Sequence, residues 1–354
     1  MNNIDKIKAA VRNSEADALM ITSEPNRLYA TGFHSTAGIA VVTADKAWFF
    51  TDSRYIEAAV QQIRGAQVMS VDREETYSKR INKIILDYDI TTLGFEDEQL
   101  TYSEFTEWSA RLTARLLPSQ KLLTNLRAVK TRQELDGMIR AQRIAEKSYE
   151  EILPLISDKI TEKELAAELM CRFLKNGADD KAFDPIVVSG IRSSMPHGVP
   201  TDAFIQKGFL TIDFGVKLDG WCSDTTRTIC VGQPNDGMVS VYETVLKAQL
   251  AGIAAAKAGV KGSEIDGAAR RVISTAGYGD FFGHGFGHGL GLEVHEPPNA
   301  APSNDGEMPE GAVISAEPGI YIPGRYGVRI EDVIYITKDG CENITNLQKK
   351  LLIV

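Results

Sequence analysis

From residue 3 to about 120, short β-branched or apolar runs alternate with segments whose apolar positions recur every three or four residues. ADALMIT, GIAVVTADKAWFFT, AQVMSV and TTLGFED have the length and density of strands. DSRYIEAAVQQI and EETYSKRINKIILDY between them carry one apolar helical face each. This alternation predicts an α/β domain. Around LLPSQKLLTNLRAVK the periodicity lapses, and a boundary is expected there, dividing a domain over 1–124 from one over 125–354.

Beyond the boundary one plan repeats. Helices are predicted over about 131–153 and 161–176, where Thr131 with Glu134 and Thr161 with Glu164 form capping boxes and Gly177 is a stop signal. Strands follow in IVVSG, FLTIDFGV and WCSDTTRTICV. Helices over about 238–258 and 263–276 then precede strands in FGHGLGLEV, GAVISAE and GVRIEDVIYI. Each half ends in a hairpin carrying two acids, a duplication visible in element order and not in letter-by-letter identity.

The parity of those hairpins bears on chemistry. Asp219-Gly220 predicts a two-residue loop, which sets Gly215 opposite Asp224; Asp213 lies on the same face as Gly215, so the two aspartates share one side of the sheet. A loop at 218–219 would set Asp213 directly opposite Asp224, still on one face. Pro323-Gly324-Arg325 predicts a three-residue turn, and pairing centred on it sets Glu317 opposite Glu331. Close carboxylates on apolar strands repel until one binds a proton, and divalent cations with a preference for oxygen ligands compensate four of them most economically.

Histidine adds independent support. Of five in the chain, four (His197, His284, His288 and His295) fall in the second domain, within MPHGVPTD and GHGFGHGLGLEVHE. Glycines flanking His288 allow backbone to crowd a centre. No register of that stretch fits a phosphate-binding G-x-G-x-x-G loop, and neither G-x-S-x-G nor H-E-x-x-H occurs. Cys222 is expected to pack as a small apolar side chain.

Composition narrows the class. With 354 residues, 43% hydrophobic and 25% charged, the chain reads as a folded globular protein of two domains. A net charge of -9 with scattered basic residues argues against nucleic-acid and anionic-membrane partners. Four cysteines without a C-x-x-C pair are expected to be reduced, and the absence of a signal-like N-terminus or an eighteen-residue apolar run predicts a cytoplasmic location.

DFGVKLDGWCSDTTRT, GHGLGLEVHE, AEPGIY and VRIED together resemble the pita-bread metallopeptidases, above all the aminopeptidase P and prolidase branch, over residues 122–354. Trp221, where that family usually has Tyr, is a slight departure. The resemblance implies an α+β fold: a C-terminal pita-bread (creatinase/aminopeptidase) domain of duplicated helix-helix-hairpin halves, preceded by a smaller creatinase-type α/β domain. It implies two divalent metal ions per subunit, manganese first, with cobalt, zinc or iron as alternatives. Asp213 would bind one ion and His288 with Glu317 mainly the other, while Asp224 and Glu331 would bridge both and a shared hydroxide would attack. Glu317 would shuttle the proton, His197, His284 and His295 would position substrate and stabilise the oxyanion, and Arg329 would buffer the carboxylates. The activity implied is an Xaa-Pro aminopeptidase acting on short peptides with proline at the second position. The alternatives are an Xaa-Pro dipeptidase and a non-catalytic peptide-binding relative. A metal-free creatinase would have lost several of these ligands. A homodimer is also implied, in which His34 of RLYATGFHSTAG would cap the partner's substrate.

Overall fold

In the structure, a computed structural model describing residues 3–354, the chain divides into two units, Met1–Arg127 and Ala128–Val354. The first carries α1 (Asn3–Arg12), β1 (Ala18–Ile21), α2 (Glu24–Thr31), β2 (Ile39–Thr43), β3 (Ala47–Thr51), α3 (Ile56–Gln62), β4 (Gln67–Ser70), α4 (Tyr77–Asp87), β5 (Thr92–Phe95), α5 (Tyr102–Arg111), β6 (Arg115–Pro118) and α6 (Gln120–Ala128). Its strands form one mixed sheet in the order β4-β3-β2-β1-β5-β6. The uninterrupted apolar runs are its middle strands, β1, β2 and β3, buried at every position because the sheet is covered on both faces. His34 is exposed in the turn after α2, which Gly32 ends in a left-handed conformation.

Residues 116–130, where apolar periodicity lapses, are nonetheless regular, comprising the end of β6 and α6. The buried face of α6 consists of Gln120, Leu123 and Arg127. Two of these are polar, with Arg127 donating to Asn26 Oδ1 at 2.9 Å, so hydrophobicity alone does not register the helical period.

In the second unit α7 (Arg132–Ile152) and α8 (Glu162–Lys175) open with the expected capping boxes at Thr131 and Thr161. β7 (Asp180–Lys181), β8 (Ile186–Ser189), β9 (Gly208–Phe214), β10 (Val216–Leu218), β11 (Trp221–Cys222) and β12 (Thr225–Val231) follow. The plan then repeats with α9 (Asp236–Ala255), α10 (Gly262–Thr275), β13 (Gly287–Gly289), β14 (Glu296–Ala300), β15 (Val313–Ala316), β16 (Gly319–Ile322), β17 (Tyr326–Arg329), β18 (Asp332–Ile336) and β19 (Cys341–Asn343). Apolar faces of α7 and α8 pack on β9, where Tyr149 stacks on Phe214 at 5.1 Å; α9 and α10 pack around Phe286 and Ile314 in a second cluster.

Both hairpins have the expected register. Leu218 pairs with Trp221, and Asp219 and Gly220 both take the positive φ that a two-residue turn demands. Asp213 pairs with Thr226 in the same register, so Gly215 falls opposite Asp224. A Cβ at Gly215 would lie 2.0 Å from the Ser223 carbonyl oxygen, so only glycine fits there. In the second hairpin Ile322 pairs with Tyr326 and Ala316 with Asp332, one register that leaves Glu317 opposite Glu331 between two paired stretches.

The strand expected over FGHGLGLEV is overturned in part: β13 stops at Gly289. The chain turns back so closely that a Cβ at Gly291 would lie 2.2 Å from the Glu296 carboxylate. It resumes as β14, an edge strand containing Pro297 and Pro298, residues tolerated only where no partner needs their N–H.

Candidate metal centre

Every one of the nine candidate residues lines a single cleft of about 870 Å³ in the second unit. Four come from the paired hairpins. Asp213 is the penultimate residue of β9, Asp224 precedes β12, and Glu317 and Glu331 sit at the junctions between β15 and β16 and between β17 and β18. Period-2 alternation aims them at one space. Asp224, His288 and Glu331 each offer a ligand atom within 4.8 Å of the other two. His288 Nε2 is also 3.3 Å from Glu317 Oε1 and 3.5 Å from Asp224 Oδ2.

The surroundings fix these groups. His288 Nδ1 faces the Gly289 carbonyl at 3.1 Å, a contact that places the ring proton on Nδ1 and turns the Nε2 lone pair to the acids. Ser315 donates to Glu317 Oε1 at 3.1 Å and accepts from the His288 N–H at 3.0 Å. Arg329 Nη2 donates to Asp213 Oδ2 at 2.6 Å, and its other nitrogens reach Thr226 Oγ1, Tyr321 Oη and the Pro196 carbonyl. Thr226 Oγ1 donates to Glu331 Oε2 at 2.7 Å. Tyr321 Oη is 3.0 Å from His284 Nε2, so a chain of polar contacts runs from His284 through Tyr321 and Arg329 to Asp213. The His295 ring stands edge-on to His288 with centres 4.1 Å apart. His197 is exposed at the rim, on a loop whose ends are held by Glu162, which accepts from Ser189 N at 2.8 Å and Thr201 Oγ1 at 2.8 Å.

Electrostatics point the same way. Burial, then the adjacent Glu331, Asp213 and Glu317 carboxylates, push Asp224 well above the ordinary range. Burial, then Glu317 and Asp213, do the same to Glu331. Glu317 is raised by burial against the pull of His284 and Arg329, and burial lowers His288, favouring the neutral imidazole that binds metal. Burial works against the charge of Arg329, but Tyr321, Asp213 and Glu317 outweigh it and hold the guanidinium firmly cationic. One cation does not satisfy the set: Asp213 Oδ1 and Glu331 Oε1 are buried with no hydrogen-bond partner. A buried, unpartnered carboxylate oxygen is costly unless a cation takes it, so the residues present fit divalent metal.

Thr226 and Tyr321 are contributors that the sequence reading passed over. Strand alternation from Asp224 already aims Thr226 at the site, and Tyr321 closes the AEPGIY motif. Cys222, by contrast, is buried with Sγ 3.7 Å from the Leu292 carbonyl, as expected of a small packing side chain.

Carboxylates gathered around a neutral imidazole at the floor of a cleft define a metal-dependent hydrolase. Residues 136–338 match metallopeptidase family M24, and residues 3–129 match the creatinase/prolidase N-terminal domain. The chain belongs to metallopeptidase family M24. It is 40% identical to the uncharacterized peptidase YqhT of Bacillus subtilis, covering 99% of each chain, and 34% identical to an Xaa-Pro dipeptidase of Pyrococcus horikoshii, covering 99% of this chain and 98% of that one. Among solved structures, an Xaa-Pro dipeptidase from Bacillus anthracis superposes with a TM-score of 0.96 at 40% identity over 99% of both chains. An X-Pro aminopeptidase from Thermotoga maritima superposes with a TM-score of 0.92 at 35% identity, over 98% of this chain and 100% of that one. Among the described residues no helix is long and apolar enough to cross a membrane.

Proposed function

We propose that the chain is an Xaa-Pro aminopeptidase, removing the residue that precedes proline at the N-terminus of short peptides. In this proposal two divalent cations are held by Asp213, Asp224, His288, Glu317 and Glu331. The observation that carries it is the pair of unpartnered buried oxygens, Asp213 Oδ1 and Glu331 Oε1, facing a cluster whose acids are already under mutual repulsion. Four carboxylates and one imidazole suit manganese, with cobalt, iron or zinc as substitutes. When bound, such cations lower the pKa of water and polarise a carbonyl.

The chain's own residues supply the rest. Glu317, raised by burial, is suited to take a proton at its carboxylate and return it to the leaving nitrogen. That return matters before proline, whose nitrogen departs as a secondary amine. His197, His284 and His295 line the cleft, placed to position the substrate and to stabilise the negative charge that develops on its carbonyl oxygen. Arg329 orients Asp213 through its 2.6 Å hydrogen bond.

An Xaa-Pro dipeptidase is the second reading, favoured by the names of the relatives from P. horikoshii and B. anthracis. Manganese-loaded protein incubated with Xaa-Pro dipeptides and Xaa-Pro-Xaa tripeptides separates the two. Release of the first residue from tripeptides supports the aminopeptidase, and turnover confined to dipeptides supports the alternative. Inertness toward both with manganese, cobalt and zinc would overturn the Xaa-Pro assignment.

A further inference from the structure

Arg270 on α10 points toward the segment that enters β13. Its Nε and Nη2 donate to both carboxylate oxygens of Asp266, one helical turn earlier, at 2.7 and 2.9 Å. Two further hydrogens of its fork go to backbone: one from Nη1 to the Phe282 carbonyl at 2.9 Å and one from Nη2 to the His284 carbonyl at 2.7 Å. The guanidinium also lies 4.2 Å from the centre of the Phe282 ring. Asp266 in turn accepts from the Phe286 N–H at 2.9 Å, and its side chain is 2% exposed.

Most arginine–acid pairs one turn apart on a helix have little consequence, because both partners sit in water. Here the carboxylate is buried and engaged by two nitrogens, which locks the plane of the guanidinium and aims its free N–H groups. The segment it reaches, Phe282-Gly283-His284-Gly285-Phe286, forms neither helix nor strand, and its two glycines leave the backbone permissive. Three alternate backbone groups of that segment are tied down by two side chains. The residue between the ties is His284, whose ring meets Tyr321 Oη on the cleft side.

We propose that Arg270, oriented by Asp266, is a positioning residue for His284. It holds the histidine's backbone so that the imidazole keeps its place against Tyr321 and the substrate. The effect on turnover rests on the Xaa-Pro peptidase reading; the effect on the imidazole does not.

Arg270→Met keeps the apolar stem and removes both carbonyl contacts, while leaving Asp266 free to hold the Phe286 N–H. In metal-loaded enzyme this variant is expected to lose about 10- to 100-fold in kcat, the scale of a small misplacement, with KM little changed and bound metal retained. In a His284→Asn background the same substitution is expected to cost less than about 3-fold, since residues acting through one another are not additive. Penalties that multiply in the double variant would overturn the proposal. A second readout is independent of activity: with only five histidines in the chain, the imidazole 15N signals of zinc-loaded protein can be assigned through His284→Asn. The His284 signals should move in Arg270→Met while those of His34 stay fixed, and unmoved His284 signals in the folded variant would refute the clamp. Should Arg270→Met fail to fold, Arg270→Lys serves, since it reaches Asp266 but cannot fork to two carbonyls, and the same outcomes apply. If wild-type protein cleaves no Xaa-Pro peptide, the functional reading fails alone and the imidazole spectrum still decides the clamp.

Discussion

Glu331 divides its duties between two oxygens: Oε2 is fixed by Thr226, and Oε1 is buried without a partner. Glu331→Gln keeps the shape and the Thr226 contact but substitutes a neutral amide for the carboxylate proposed to bind metal. The expected outcome is loss of at least one bound cation and a fall in kcat/KM of at least about 100-fold, because a removed ligand disables the centre that activates water. Metal analysis beside peptide hydrolysis checks both parts. Full metal content with undiminished activity would remove Glu331 from the ligand set. Arg329 belongs to the same scale, since its contacts to Asp213, Thr226, Tyr321 and Pro196 make one cation the organiser of several groups at once.

At the scale of elements, two paired hairpins hold the acids at fixed separation, and close backbone approach makes this possible. Gly215→Ala would drive a methyl group to within 2.0 Å of the Ser223 carbonyl. The expected cost is about 1–3 kcal/mol or more, the range for forcing extra atoms into a packed site, read as a lower denaturation midpoint. The splayed hairpin should also bind metal less tightly. The first unit has its own electrostatic fastening. Asp17, ahead of β1, accepts from the backbone N–H and hydroxyl groups of Thr91 and Thr92, and the Thr92 N–H foremost lowers its pKa. A depressed folded-state pKa means the unfolded chain binds the proton more readily. The stabilisation is therefore complete above the unfolded value of about 4 and is lost as pH falls through the lower folded value. Asp17→Asn should lower stability at pH 7 and flatten the acid limb of the stability curve below pH 4, measured by urea unfolding across pH. An acid limb unchanged from wild type would contradict this.

At the scale of the whole molecule, two units with separate cores carry unequal burdens, since the cleft and all nine candidate residues lie in Ala128–Val354. Removing metal should therefore destabilise that unit alone. A ligand at one hundred times its dissociation constant contributes about 2.7 kcal/mol, so chelation should lower the thermal midpoint of the second unit and leave that of the first in place. Calorimetry with and without chelator, fitted to two transitions, tests this, and an equal shift in both would contradict it. His34, exposed on the first unit, remains a separate expectation at this scale. If it caps a partner's substrate in a homodimer, His34→Ala changes the ratio of dipeptide to tripeptide turnover, and an unaltered ratio dismisses the idea.

Sequence alone determined the parts of this protein that obey local rules. Asp219-Gly220 and the turn at Pro323–Arg325 set hairpin parity, and strand alternation then places Asp213 with Asp224 and Glu317 with Glu331, because side chains change face at every residue. The capping boxes at Thr131 and Thr161 were legible for the same reason, as each is made within four residues. The helix over Gln120–Ala128 was not, since its buried face is mostly polar, and neither was the early end of the strand at Gly289, which depends on Glu296 returning beside Gly291. Tertiary structure decided what no spacing encodes: Arg329 meeting Asp213, Thr226 meeting Glu331, and Arg270 reaching back to His284. The first two join residues 116 and 105 positions apart, and the third crosses from a helix to an irregular loop. Such contacts follow from how the sheets and two helix pairs of the second unit close around a cleft, so hydrophobic periodicity, which reports only the face a residue turns toward its own core, carries no trace of them.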